Sequence, residues 1–282
     1  MTVQNLPLRP VERIRQLPVY IILVIYAIVI AYPLIWMVIS SFKSSTEIFS
    51  DPWGLPSVWL VQNYADAWET GISGYFINSL IVTIITTLAT VLIAALCAYG
   101  MVRMSNKVAN VVLLLAMGGL VVAPQVSLIP LYQMLDAFNL LDTYWAMVLP
   151  YVAFRLPMAV LLIRSVFLAV PKELIDAATI DGCRSLGILR HVYLPISRSI
   201  LTTAGVLTAY FAWNEFLFAI VFVNDDAMRT IPAGLMSFRD ALSTEWGVLL
   251  AGLVIAALPI VVAFIVLQRY FVAGITTGSV KG

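Results

Sequence analysis

With 62% of its 282 residues hydrophobic and 11% charged, the chain is far more apolar than a soluble domain, in which about a quarter of residues carry charge. A formal net charge of +1 offers no basic surface to nucleic acid, and two cysteines as far apart as Cys97 and Cys183 make no disulfide framework. Composition leaves a protein that resides in lipid.

Six segments are long and apolar enough to carry a helix across the hydrocarbon core, roughly 18–41, 77–102, 109–131, 143–168, 197–223 and 246–271. None alternates with period two as barrel strands do, and a backbone in lipid must satisfy its own hydrogen bonds. The expectation is an all-α integral membrane protein, a single domain over residues 1–282 with six transmembrane helices. Arg13 and Arg15 precede the first segment, but its apolar run exceeds a signal-peptide core and no small-residue cleavage site follows it. It reads as a retained helix.

Between the first two segments, 42–76 carries Trp53, Trp59 and Trp68 among Pro52, Pro56 and several acids, which fits interfacial anchoring or the docking of an external partner. Asn78, at the start of the second segment, either caps that helix or faces a pathway. In the fourth and fifth segments Arg155 and Glu215 are the most deeply placed charges. Counted from the outer ends they lie about 16 Å and about 10 Å down, a difference within an arginine's reach. Charges at such depth face a cavity or find a partner, so the two are expected to pair or to line one aqueous pathway, with Pro157 loosening the helix beside Arg155. A static pair that fixes helix packing is the competing reading.

Lysine and arginine are retained on the cytoplasmic side. With the N-terminus inside, the inner segments hold Arg9, Arg13, Arg15, Arg103, Lys107, Arg164, Lys172, Arg184, Arg190, Arg198, Arg269 and Lys281, and the outer ones only Lys43, Arg229 and Arg239. That asymmetry places both termini and residues 171–195 in the cytoplasm, and 42–76 and 224–245 outside.

Residues 171–195, PKELIDAATIDGCRSLGILRHVYLP, are polar amid apolar surroundings and include the single histidine, His191. Pro171 suits a helix start, Glu173 and Asp176 complement its positive end, and Gly182 supplies the left-handed stop. Leu174, Ile175, Ala177 and Ala178 fall on one side and Lys172, Glu173, Asp176 and Thr179 largely on the other. Ser185 is placed to cap a second short helix that ends before Pro195. The prediction is a helix, a turn and a helix, which geometry alone lays on the inner leaflet or presents to a partner.

Asp176-Ala177-Ala178, Gly182 after three residues, then Val192, Leu194 and Pro195 after nine, resembles the cytoplasmic loop of ABC importer permeases, Glu-Ala-Ala-x3-Gly-x9-Ile-x-Leu-Pro. Here Asp stands for the first Glu and Val for Ile. The ending LQRYFVAGITTGSVKG, YFINSL at 75–80 and AWNEFLFA at 212–219 are similar to the maltose-type, carbohydrate-importing group. The resemblance implies that 171–195 forms coupling helices seated on a separate ATPase, with Glu173, Asp176, Ala177, Ala178, Asp181, Gly182, Leu194 and Pro195 at the contact. It also implies a tail, with Gly274, Gly278 and Lys281, that reaches the ATPase dimer. The partners it implies are a second similar permease, two ATPase subunits holding ATP and Mg, and an extracytoplasmic sugar-binding protein, assembled in a prokaryotic inner membrane.

A membrane enzyme finds little support, since no phosphate loop and no metal-ligand spacing occur in the sequence, and neither a catalytic residue, a metal nor a cofactor is expected in this chain. His191 beside Arg190 reads as a solvated loop residue. An ion-coupled carrier, or a permease for another small polar solute, are the alternatives. A sugar pathway needs aromatic faces and hydrogen-bonding groups together. Asn78, Arg155, Tyr210, Trp213, Asn214 and Glu215 are its candidates, against the reading that such aromatics only pack helices.

Overall fold

The computed structural model describes residues 10–121, 123–236 and 245–279, and the side chains of 18–105, 107–120, 123–236 and 245–266. All regular structure among them is helical. In chain order the α-helices are α1 (Pro10–Ser40), α2 (Ser45–Ser50), α3 (Gln62–Ala67), α4 (Ser73–Arg103), α5 (Asn106–Val121), α6 (Leu128–Ala137) and α7 (Tyr144–Phe167). There follow α8 (Lys172–Ile180), α9 (Ser185–Ile188), α10 (Leu194–Ile196), α11 (Arg198–Asn214), α12 (Leu217–Phe222), α13 (Ile231–Gly234) and α14 (Trp246–Ser279).

Four of the described helical stretches are each long and apolar enough to cross a bilayer, Pro18–Ser40, Gln62–Arg103, Tyr144–Phe167 and Trp246–Val266. The third predicted segment is instead two arms, Lys107–Leu120 and Pro124–Ala137, set at 86°. Proline drives the residue before it out of the α region, and Ala123 is accordingly extended at φ −62°, ψ 132° ahead of Pro124. The fifth predicted segment is broken as well: α11 ends at Asn214, Glu215 is extended, and α12 begins at Leu217. Periodicity is blind to both events, because neither bend interrupts the apolar run. α7, by contrast, continues through Pro150 and Pro157 without a break.

By contact the chain separates into two compact units, 1–67 with 243–254, and 68–242 with 255–282. In the first unit the predicted loop after α1 is largely folded. Ser44 caps α2 by accepting from the Glu47 amide, the Trp36 indole donates to Pro52 O at 2.7 Å, and the buried Lys43 ammonium donates to Asp51 O at 2.7 Å. Trp53 stacks on Tyr32 and Trp59 leans on Phe42, yet both indoles stay largely exposed, as interfacial anchors do.

Asn63 ties this unit together, donating to the carbonyls of Ser41 at 2.8 Å and Lys43 at 3.0 Å. Gly247, in the first turn of α14, lies so close that a β-carbon there would stand 2.3 Å from Lys43 O and 2.6 Å from Asn63 Nδ2. A backbone oxygen cannot swing aside. Gly247→Ala is therefore expected to cost about 1–3 kcal/mol by overpacking, read as lowered thermal stability in detergent. Gly74→Ala, at a site with open space on α4, is the control and should not destabilise the protein.

The second unit is organised on α4, which packs along α7 and α11. Small residues at the crossings, Ala94, Ala98, Ala159 and Ala204, let the helix backbones approach, the usual device where lipid provides no hydrophobic drive for association. One apolar cluster surrounds Phe167, Ile188 and Tyr193 next to the polar segment, and another surrounds Tyr151, Phe218 and Phe222. The α4 stretch is kinked at its start by Gly71, whose φ of +143° is open to glycine alone.

Candidate functional site

The break in the fifth predicted segment forms the first candidate. Glu215 takes φ −69°, ψ 124°, and its carboxylate turns back onto α12, accepting from the Phe218 amide at 3.1 Å and the Ala219 amide at 3.3 Å. The fully buried Tyr151 of α7 donates its hydroxyl to the same carboxylate at 2.6 Å. Glu215 thus satisfies the amides that an interrupted helix would leave bare in an apolar setting. Asn214 and Glu215 are the sequence signal, two side chains able to compete for backbone hydrogen bonds inside an apolar run. Tyr151 had no such signal.

A cavity of about 530 Å³ opens beside this break between α7 and α11, lined by Arg155, Tyr210, Phe211, Asn214, Glu215 and Phe216 among others. Arg155 and Glu215 share it but form no ion pair among the described residues. The Arg155 guanidinium instead lies 3.5 Å over the Phe211 ring. Its Nε is buried without a hydrogen-bond partner. On insertion scales a charge at the helix centre costs about 2.5–3.5 kcal/mol, so a guanidinium kept there without a protein acceptor is a conspicuous expense. Asn214, which also lines the cavity, donates to Tyr210 O at 2.7 Å.

Two other sequence candidates lie elsewhere. The buried Asn78 donates to the carbonyls of Ala227 at 2.8 Å and Arg229 at 2.9 Å, and accepts from the Tyr144 hydroxyl at 2.8 Å. With Tyr75 donating to Asp226 at 2.8 Å and Ser79 accepting from the Ile231 amide at 2.8 Å, it fastens 226–231 to the top of α4. Neither alternative for Asn78, helix cap or pathway residue, describes this. Trp213 is also buried, with its indole donating to Ala256 O at 3.1 Å and its ring edge-on to Phe76. It borders a separate apolar groove of about 500 Å³ and not the Arg155 cavity.

The second candidate is the polar segment. α8 ends in a paired closure: Cys183 N donates to Ala178 O at 2.9 Å and Gly182 N to Thr179 O at 3.1 Å, with Gly182 at φ +81°. Its buried face is narrower than the helical wheel implies. Ile175 and Ala178 pack against the core, whereas Leu174 and Ala177 are exposed. Ile180 and Leu186 are 86% and 71% exposed, so the segment displays apolar side chains beside Lys172, Glu173, Asp176 and Asp181.

Ser185 is not a cap. α9 starts at it with Arg184 in the cap position, and the Ser185 carbonyl accepts from Tyr99 at 2.6 Å while its hydroxyl accepts from Arg103. Tyr99 in turn meets Tyr193 edge-on, and Phe167 packs on the other side of Tyr193. The helix also does not end before Pro195. A π turn over Leu189–Tyr193 runs into α10, where Pro195 sits in the first turn and its missing amide is harmless. His191 is exposed, with Nδ1 2.9 Å from Gly187 O.

Gly274 and Gly278 fall on the described backbone of α14, and Lys281 lies outside the described residues, as do 237–244 of the predicted outer loop.

Comparison with known proteins gives concordant results. A family model described as "Binding-protein-dependent transport system inner membrane component" matches residues 6–277. The chain is 54% identical over 264 residues to the "Probable ABC transporter permease protein YurM" of Bacillus subtilis (strain 168), covering 94% of this chain and 88% of that one. It is 32% identical to the "Trehalose/maltose transport system permease protein MalG" of Thermococcus litoralis, covering 92% and 94%. Among solved structures, a bacterial ABC transporter involved in the import of the acidic polysaccharide alginate superposes with a TM-score of 0.79 at 20% identity, covering 95% of this chain and 100% of that one.

Proposed function

Because the chain belongs to the family of binding-protein-dependent transport system inner membrane components, we propose that it is a permease subunit of an ATP-driven importer and forms part of the pathway for a sugar. It is a multi-pass membrane protein of a transport family and does no catalysis itself. In this reading it crosses the membrane six times, with the bent pair α5–α6 as the third crossing and the broken pair α11–α12 as the fifth. Both termini and 171–195 face the cytoplasm, and 42–76 and 224–245 face outward, in keeping with the lysine and arginine asymmetry.

The observation that carries the proposal is the segment from α8 to α10. Its inner face is locked to α4 and α7 through Tyr99, Arg103, Phe167 and Tyr193, while its outer face offers exposed Leu174, Ile180 and Leu186 between charges. Such a surface suits a soluble partner, here one of two ATPase subunits that bind ATP and Mg. A second permease completes the pathway and an extracytoplasmic binding protein delivers the sugar. Closure of the ATPases on ATP would draw these segments together, and through the Tyr99 contact the motion would reach α4 directly.

Two measurements test this. A cysteine at Ser185, in a protein lacking Cys97 and Cys183, is expected to resist an impermeant thiol reagent in intact cells and to react after permeabilisation. Uptake is expected to stop on ATP depletion with ion gradients held. Labelling in intact cells overturns the orientation, and uptake sustained by ion gradients alone overturns the ATP-driven reading in favour of an ion-coupled carrier.

A further inference from the structure

We propose that Arg155 is the receptor for an anionic group on the transported solute, so that the substrate is a saccharide bearing a carboxylate, sulfonate or phosphate; this rests on the sugar-permease reading above. The donors of Arg155 have no acceptor among the described residues, and Nε is buried without a partner. The single carboxylate lining the same cavity is already engaged, its oxygens held by Tyr151 and by the Phe218 and Ala219 amides. Glu215 is therefore committed to the helix break, and the positive charge of Arg155 is left uncompensated at the cavity wall.

The guanidinium carbon of Arg155 sits 3.5 Å over the centre of the Phe211 ring and the residue lines the cavity, where a guanidinium can offer two parallel hydrogen bonds to a planar or tetrahedral oxyanion. Around it the half-exposed or exposed rings of Tyr210 and Phe216 offer faces to sugar C–H groups, and Asn214 adds a polar side chain to the same lining. A volume of about 530 Å³ is that of a small-molecule site. A neutral sugar would leave this charge without a counter-ion, and a cavity built for neutral hydroxyls alone has no need of one.

The test uses cells carrying the complete transporter, given an equimolar mixture of neutral mono- to trisaccharides and their uronate, sulfonate and phosphate counterparts. Accumulated solutes are identified by mass spectrometry against cells lacking this chain. An anionic solute is expected to accumulate, to fall at least about tenfold with Arg155→Met, and to be partly retained with Arg155→Lys, since lysine keeps the charge but not the fork. Masking the solute's acid as an ester should abolish its accumulation in wild type. Membrane abundance and co-purification of the other subunits are measured for each variant. If a neutral saccharide accumulates, the proposal is wrong whatever the variants do. If Arg155→Met loses the other subunits, the guanidinium serves assembly and the proposal is likewise wrong. If no saccharide of either kind accumulates above the deletion, the sugar-permease reading itself fails.

Discussion

Gly182→Leu is expected to abolish uptake while leaving the protein in the membrane. A β-carbon at Gly182 meets nothing within 4 Å, so the chain itself has room for the side chain. The backbone does not tolerate it: at φ +81° an L-residue costs about 1–2 kcal/mol, and the closure that depends on this angle holds α8 at its angle to α9. That penalty is small beside the stability of the helix bundle, so insertion survives, but it is large for a short surface helix whose orientation must match a partner. The added leucine also projects from the exposed side. Sugar uptake and ATPase stimulation, measured on the assembled transporter, check the expectation; near-normal uptake would remove 171–195 from any docking role. Gly182→Asn, which tolerates the left-handed region, should retain much of the activity.

Glu215→Ala should be the most destabilising substitution in the membrane-embedded region. It strips the acceptor from the Tyr151 hydroxyl and from two amides of α12 at once. Unsatisfied buried groups cost about 1–3 kcal/mol each, and water entering from the adjoining cavity offsets part of this, so a net loss of about 2–5 kcal/mol is expected. Glu215→Gln keeps one acceptor oxygen and should lose less. Tyr151→Phe should lose least, because the carboxylate retains its two amides. Thermal unfolding in detergent orders the three. Were Glu215→Ala as stable as wild type, the break would need another explanation. Because Arg155 makes no ion pair with Glu215 among the described residues, the effects of Arg155→Met and Glu215→Ala on stability should add; a strong coupling between them would restore the paired arrangement that the sequence suggested.

The amino-acid pattern was a good guide to what is in the membrane and a poor one to how it is bent. Apolar run length anticipated the four described stretches long and apolar enough to cross a bilayer, because burial in lipid is a matter of composition. It missed the bend before Pro124 and the break at Glu215, since both preserve that composition. Gly182 and the end of α8 were legible because a left-handed stop has few chemical solutions. Ser185 was misread for the opposite reason: a serine at a helix start has a local use, and here Tyr99 and Arg103 claimed it from far along the chain. For Asn78 neither the burial nor the partners were legible, and for Trp213 the packing reading was available but its partner was not. Arg155 and Glu215 line one cavity, but the aromatic ring and the helix amides that engage them left no trace in spacing.

The π turn at Leu189–Tyr193 carries one residue more than α-helical register requires. Loss of a single codon within it would heal the helix into a continuous α form, at no cost in hydrogen bonds. The four residues left sweep nearly the same angle about the axis in α form as the five do in the π turn, so everything before the deletion would keep its bearing and Ser185 would stay beside Tyr99. A one-residue deletion inside Leu189–Tyr193 is therefore expected to be better tolerated than one in the α-helical turns beside it, where the same loss would swing the preceding segment by about 100°.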